Sequence, residues 1–303
     1  MSFLYWLEGL RIPFITELML LITHLGEETA FLVAAIIVFW CISKKRGYYI
    51  MAVGFIGTLA NQFLKMLFRV PRPWVLDEGF TAVEAAKAEA TGFSFPSGHT
   101  QNSVGTYGAL AYTAKRRWSR IACLAVALLV PFSRMYLGVH TPLDVIVSVL
   151  IAVFLVLFVH PFIFGDGKKR MSVLLGGMLA LCVCYLLFVH LYPFPADVDQ
   201  ERLASGFKNG YTMLGSLIGM LAVYIVDEKW VHFPVKAKWW AQILKVVVGL
   251  ALVLAVKSGL KSPLNLLMGE NIGRAVRYFF VVVTAGILWP LTFRWFSKLG
   301  CRE

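Results

Sequence analysis

The chain has 303 residues, 59% of them apolar and 15% charged, and a formal net charge of +12. Soluble domains carry roughly 45–50% apolar residues, and here apolar runs of about 20 residues recur along the whole length, which excludes an ordinary water-soluble globule. The basic residues fall in short clusters between those runs rather than in one continuous patch, which argues against nucleic acid as a partner and fits the cytoplasmic loops of a polytopic membrane protein.

Residues 1–24 mix aromatics with Glu8, Arg11 and Glu17 and predict an interfacial amphipathic helix. A first span is expected at about Thr29–Ile42 with its flanks, ending at Lys44-Lys45-Arg46, and a second at about Tyr48–Leu67. A polar stretch reaches Thr100, within which the Ala-rich segment Thr81–Ala90 predicts a short outer helix and Asp77, Glu78, Glu84 and Glu89 make the loop acidic. Spans three to five are expected at about Gln101–Ala114, Ile121–Leu137 and Leu143–Phe164, with Lys115-Arg116-Arg117 after the third and Lys168-Lys169-Arg170 after the fifth. The last four are expected at about Ser172–Leu191, Tyr211–Val226, Ile243–Leu260 and Val276–Phe296. An outer loop with Asp197, Asp199 and Glu201 follows the sixth, Lys229, Lys236 and Lys238 follow the seventh, and Lys298 and Arg302 lie in the tail.

With nine spans the clusters at 44–46, 115–117, 168–170, 229–238 and 298–302 share one side, which the positive-inside rule makes cytoplasmic. The expected fold is therefore all-α: a polytopic transmembrane helix bundle of about nine spans, N-terminus outside and C-terminus cytoplasmic, in a single integral membrane domain over 1–303. The N-terminus lacks the pattern of a cleaved signal peptide, and compact loops point to a bacterial plasma (inner) membrane. Cys41, Cys123, Cys182, Cys184 and Cys301 show neither metal spacing nor a disulfide framework.

Three patches fall on the extracytoplasmic side, where Lys65, Arg69, Arg72 and Arg134 break the positive-inside rule; ionisable residues at membrane depth are functional candidates. In the first patch, Lys65 ends the second span and Arg72-Pro73 follows. An ammonium and a guanidinium can neutralise a phosphate from two sides, the rival reading being a basic helix end that snorkels to headgroups. In the second, Pro96-Ser97-Gly98-His99 precedes a helical run. Gly98 admits a ligand close to backbone, free N–H groups favour an anion, the Ser97 hydroxyl adds a donor and His99 can protonate a leaving oxygen; the rival is an ordinary turn entering a helix. The third patch is Ser133-Arg134 with His140 and Asp144. His140 and Asp144 are four apart and can meet on one helix face, where the carboxylate fixes the tautomer and leaves the other ring nitrogen nucleophilic. The rival is a capping box between Thr141 and Asp144, and both can hold together. These residues by themselves leave open which histidine attacks.

In order and spacing the three patches resemble the signature of the type 2 phosphatidic acid phosphatase (PAP2) superfamily, which also includes glucose-6-phosphatase and vanadium haloperoxidases. The resemblance implies that His140 is a nucleophile forming a phosphohistidine, that Asp144 orients it, and that His99 protonates the leaving alcohol and later activates water. It implies that Lys65, Arg72, Ser97, Gly98 and Arg134 hold the phosphoryl oxygens, that Ser133 matches the motif without a clear role, and that no metal or other cofactor is needed. Residues 25–165 would then be the catalytic core and 172–296 four additional C-terminal spans. The expected function is a membrane phosphatase of lipid phosphate monoesters or pyrophosphates: phosphatidic acid, phosphatidylglycerol phosphate, undecaprenyl diphosphate or sphingoid phosphates. The alternatives are a phosphatase of a soluble sugar phosphate, a phosphotransferase, or a non-catalytic transporter or lipid-binding protein. Oligomeric state is not legible. Outside the patches, His24, Glu27 and Glu28 are candidates for the site mouth, His160 and His190 read as interfacial, and His232 lies in a cytoplasmic loop.

Overall fold

Prolines set several helix starts in this chain. Pro13 and Pro73 each occupy the first helical position behind an extended residue, Ile12 (φ −121°, ψ 149°) and Arg72 (φ −72°, ψ 156°), because the proline ring excludes the helical conformation from the residue before it. The computed structural model of the chain describes residues 1–90, 92–167, 169–195 and 198–299; Lys168, Asp197, Cys301 and Arg302 lie outside the described residues. Among the described residues the regular elements are all helical: α1 Ser2–Gly9, α2 Pro13–Thr23, α3 Glu28–Cys41, α4 Lys44–Phe68, α5 Pro73–Leu76, α6 Glu84–Glu89, α7 Gly98–Thr113, α8 Arg117–Tyr136, α9 Pro142–Phe164, α10 Lys169–Leu191, α11 Gln200–Val226, α12 Trp239–Gly259, α13 Lys261–Val283 and α14 Phe293–Lys298. Residues 1–24, expected as one helix, hold two: α1 stops at Gly9, and Pro13 starts α2 behind the extended Ile12.

Seven of the described helical segments are long and apolar enough to cross a bilayer, and an eighth if Pro13–Gly26 and Glu28–Cys41, which meet at 54°, make one bent crossing. The remaining expected span is α7, whose 16 residues cover about 24 Å. It is short for a crossing and also less apolar, because Thr100, Gln101, Ser103 and Thr106 on it are buried against protein. Other expected boundaries shift: α11 begins at Gln200, inside the expected outer loop, and α13 starts at Lys261, taking up the stretch between the expected eighth and ninth spans, with a kink at Gly269 (φ 75°).

The chain divides into two compact units. The first comprises Met1–Ala35, Tyr49–Pro161 and Phe194–Gly206. Its spine is the α7–α8 pair, onto which α1 and α2 pack. A small core of Leu7, Met19, Ala82, Ala86, Tyr136, Leu137 and Val139 closes one end. Arg11 pins that end, donating from Nε to the Tyr136 carbonyl at 2.9 Å and from Nη1 to the Thr81 carbonyl at 2.6 Å.

The second unit comprises Ile36–Tyr48, Phe162–Pro193 and Phe207–Glu303. Fully buried Lys245 donates to the carbonyls of Trp40 (2.9 Å) and Val235 (3.2 Å) and lies 4.2 Å from the Phe293 ring centroid. Lys44 pairs with Asp227 at 2.7 Å. Gly219 on α11 lies against α13, where a Cβ would stand 2.9 Å from Val282, the small-residue packing common between membrane helices. The four described cysteines are free thiols.

Candidate active site

The three patches converge at one end of the first unit because four elements bring their termini there: the end of α4, the start of α7, the end of α8 and the start of α9. Gly26 shows the closeness of this convergence. A Cβ on it would stand 2.6 Å from Val130 of α8 and 2.9 Å from the His99 carbonyl of α7, so only glycine lets the turn after α2 sit between them.

His140 lies between α8 and α9 and is 1% exposed. Its Nε2 is 3.0 Å from Arg72 Nη1, which also donates to the Val139 carbonyl at 3.0 Å. Its Nδ1 faces Asp144 Oδ2 at 3.5 Å. A guanidinium can only donate, so Nε2 is the acceptor and the ring proton sits on Nδ1, toward the carboxylate. That is the tautomer a nucleophilic Nε2 needs. Burial holds the imidazole well below the usual histidine range, and the charges of Arg72, Arg134 and Lys65 push the same way.

Asp144 does two jobs in the geometry. Oδ2 accepts the Thr141 N–H at 2.8 Å while the Asp144 N–H donates to Thr141 Oγ1 at 3.3 Å, a reciprocal cap on α9. The same Oδ2 accepts the Ser94 hydroxyl at 2.7 Å. The carboxylate that faces His140 is therefore held from two sides, and the capping and orienting arrangements coexist.

Ser97 caps α7, its Oγ accepting the Thr100 N–H at 3.4 Å, and its own N–H donates to the Asp144 carbonyl at 3.2 Å. This ties the second patch to the third. Nothing lies within 4 Å of where a Gly98 Cβ would be, so the helix start opens on free space. His99 presents a buried Nε2 without a hydrogen-bond partner among the described residues.

Among the cations, Arg72 and Arg134 are 3% and 1% exposed. Arg72 Nε also reaches the Gly92 carbonyl at 3.3 Å, and Lys65 Nζ donates to the Phe93 carbonyl at 2.5 Å. Arg134 Nη1 donates to Thr23 Oγ1 at 2.7 Å. Three cations stand here against one buried carboxylate, a balance that favours a further anion. Ser133 turns away from this set, donating to the Val130 carbonyl of its own helix at 2.7 Å.

Sequence reasoning missed Ser94 and Thr23. Thr23 is a hydroxyl at the end of an apolar run and Ser94 one between Phe93 and Phe95, the one signal that sets each apart. It named His24 and Glu27, which hydrogen-bond to each other; together with Glu89 they are a group whose potential metal-ligand atoms lie within 4.8 Å of one another. His160 stacks edge-on with Tyr49 and Tyr112.

Comparison with known proteins accords with this geometry. Residues 45–168 match the PAP2 superfamily, and residues 211–302 match the transmembrane extension of PAP2 superfamily phosphatases. Phosphatidylglycerophosphatase B of Bacillus subtilis is 30% identical over 45% of this chain and 70% of its own length. A probable sphingosine-1-phosphate phosphatase of Dictyostelium discoideum is 29% identical over 65% of this chain and 51% of its own. An undecaprenyl-diphosphatase of Bacillus subtilis is 30% identical over 37% of this chain and 54% of its own, so the chain spans only about half the length of these last two. No solved structure gives a significant match. The chain belongs to the PAP2 superfamily. The relatives named above are lipid phosphatases, in line with the membrane phosphatase expected from the three patches.

Proposed function

We propose that this protein hydrolyses phosphate monoesters or diphosphates of lipids through a phosphohistidine on His140. The observation that carries the reading is the neutral, buried His140 with its Nε2 turned to Arg72 and its Nδ1 to Asp144. A phosphoryl group bound over Gly98 meets the α7 N-terminus, Ser97, Lys65, Arg72 and Arg134. A phosphoryl oxygen competing for the Arg72 N–H frees the Nε2 lone pair. His140 Nε2 then attacks phosphorus as the bond to the leaving oxygen breaks, and His99, which takes up a proton as the anionic phosphoryl group binds beside it, gives that proton to the leaving oxygen. Neutral His99 next takes a proton from water, whose oxygen attacks phosphorus, releases phosphate and restores His140. Asp144 keeps the proton on Nδ1 and stabilises the charge that develops on the ring.

The lipid reading rests on the site's cations, which sit at the ends of membrane-length helices, where headgroups lie, and on the named activities of the relatives. The same geometry supports nine crossings. His99 at the start of α7 and Val130 near the end of α8 both touch Gly26, so α7 and α8 run antiparallel and α7 traverses with its partner. Counting α7 and the bent pair gives nine, with the site extracytoplasmic in the plasma membrane and the C-terminus cytoplasmic by the basic clusters.

The test is phosphate release by the detergent-purified protein, in EDTA, from phosphatidic acid, phosphatidylglycerol phosphate, undecaprenyl diphosphate, sphingosine phosphate and glucose 6-phosphate. Lipid turnover that persists in EDTA and falls at least about 10³-fold in His140→Ala is expected. Turnover of glucose 6-phosphate alone replaces the lipid reading with a sugar-phosphate one, and no turnover of any substrate replaces it with a binding or transport role.

A further inference from the structure

The segment Phe194–Gly206 lies outside both family matches yet belongs to the same compact unit as the site. It is fastened to the first patch at two points. Arg69, in the left-handed conformation just past α4 (φ 49°), stands 6.0 Å from the Phe194 ring centroid. In return, Arg202 stands 5.3 Å from the ring centroid of Phe93, the residue whose carbonyl receives Lys65 Nζ. Arg202 lies close enough to both Lys65 and Arg72 for its charge to bear on each.

The local chain orients this guanidinium. Asp199 Oδ1 caps the start of α11, accepting the N–H groups of Glu201 (3.0 Å) and Arg202 (3.2 Å), and its Oδ2 meets Arg202 Nε at 3.0 Å. The ion pair thus holds Arg202 by its Nε edge. No hydrogen bond among the described residues engages its two Nη groups, and the side chain is 28% exposed. Asp199, the acid that pairs with Arg202 among the described residues, is spent on the cap and on Nε. A capped arginine resting on an aromatic ring beside two phosphate-binding cations is pre-organised to offer its remaining N–H groups to an oxyanion.

We infer that Arg202 forms a subsite for a second phosphate group of the substrate, next to the phosphoryl group that is transferred. The inference rests on the phosphatase reading and narrows its substrate class to lipids bearing two phosphates. Two sources share that chemistry: a lipid diphosphate, with the second phosphate joined by an anhydride, and a phosphoglycerol phosphate lipid, with the second phosphate across a glycerol.

The experiment compares wild type, Arg202→Gln and Arg202→Lys in detergent with EDTA. The substrates are an isoprenyl diphosphate, phosphatidylglycerol phosphate and phosphatidic acid, which has a single phosphate. A charge-assisted hydrogen bond of the usual strength predicts that Arg202→Gln lowers kcat/KM for one or both two-phosphate lipids by about 10- to 100-fold and leaves phosphatidic acid within about threefold. Arg202→Lys should keep most of the wild-type preference. Which of the two lipids loses most identifies the source, and either supports the subsite. An equal loss on phosphatidic acid, no loss on any substrate, or a wild type that prefers phosphatidic acid to both others overturns it. Failure of the phosphatase reading shows separately, as wild-type turnover no higher than that of His140→Ala.

Discussion

The Ser94 hydroxyl donates to Asp144 Oδ2 at 2.7 Å, and both side chains are buried. That oxygen is the one facing His140 Nδ1, so Ser94 helps aim the carboxylate without touching the imidazole. Ser94→Ala should lower kcat by about 10- to 100-fold with KM nearly unchanged, as losses of such supporting hydrogen bonds do. Asp144→Asn makes a sharper cut. The amide oxygen can still accept the Thr141 N–H, so α9 keeps its cap and the protein its melting temperature, while kcat drops by about 10³- to 10⁴-fold because the imidazole loses its charged partner. Steady-state kinetics beside thermal unfolding separates the two effects.

Gly138 holds φ 78°, and a Cβ there would stand 2.7 Å from Arg11 Nη2 and 2.9 Å from Phe80 Cζ. Gly138→Ala therefore meets both a left-handed backbone and a filled space. It is expected to cost about 1–3 kcal/mol of stability, read as a lower melting temperature in detergent. Because Gly138 lies two residues before His140, kcat should fall in the same variant.

Buried His140 is held neutral, its pKa well below the usual range, first by desolvation and then by the neighbouring cations. The sign follows directly. Below the unfolded histidine value of about 6.5 the unfolded chain takes up a proton that the folded chain does not, so stability falls as pH falls. This one group can contribute up to about 1.4 kcal/mol per pH unit below that value. The melting temperature should drop between pH 8 and pH 5 more steeply in wild type than in His140→Gln, and equal slopes would remove His140 from the account.

Much of this protein was written in its sequence, for reasons that are local. Apolar runs of bilayer length and basic clusters between them set a helical membrane bundle, since lipid leaves backbone groups no partner but their own helix. The spacing of His140 and Asp144 marked them as neighbours, but they meet across the turn into α9 rather than on one helix face, because α9 starts only at Pro142. Tertiary structure alone decided the rest, because it depends on which distant elements approach. Sequence could not show that α7 tolerates buried Thr100, Gln101, Ser103 and Thr106, because their shelter comes from other helices. Nor could it single out Ser94, fifty positions from Asp144, Thr23 beside Arg134, or Arg202 over Phe93. Those partners are chosen by packing, and packing brings together residues that no periodicity links.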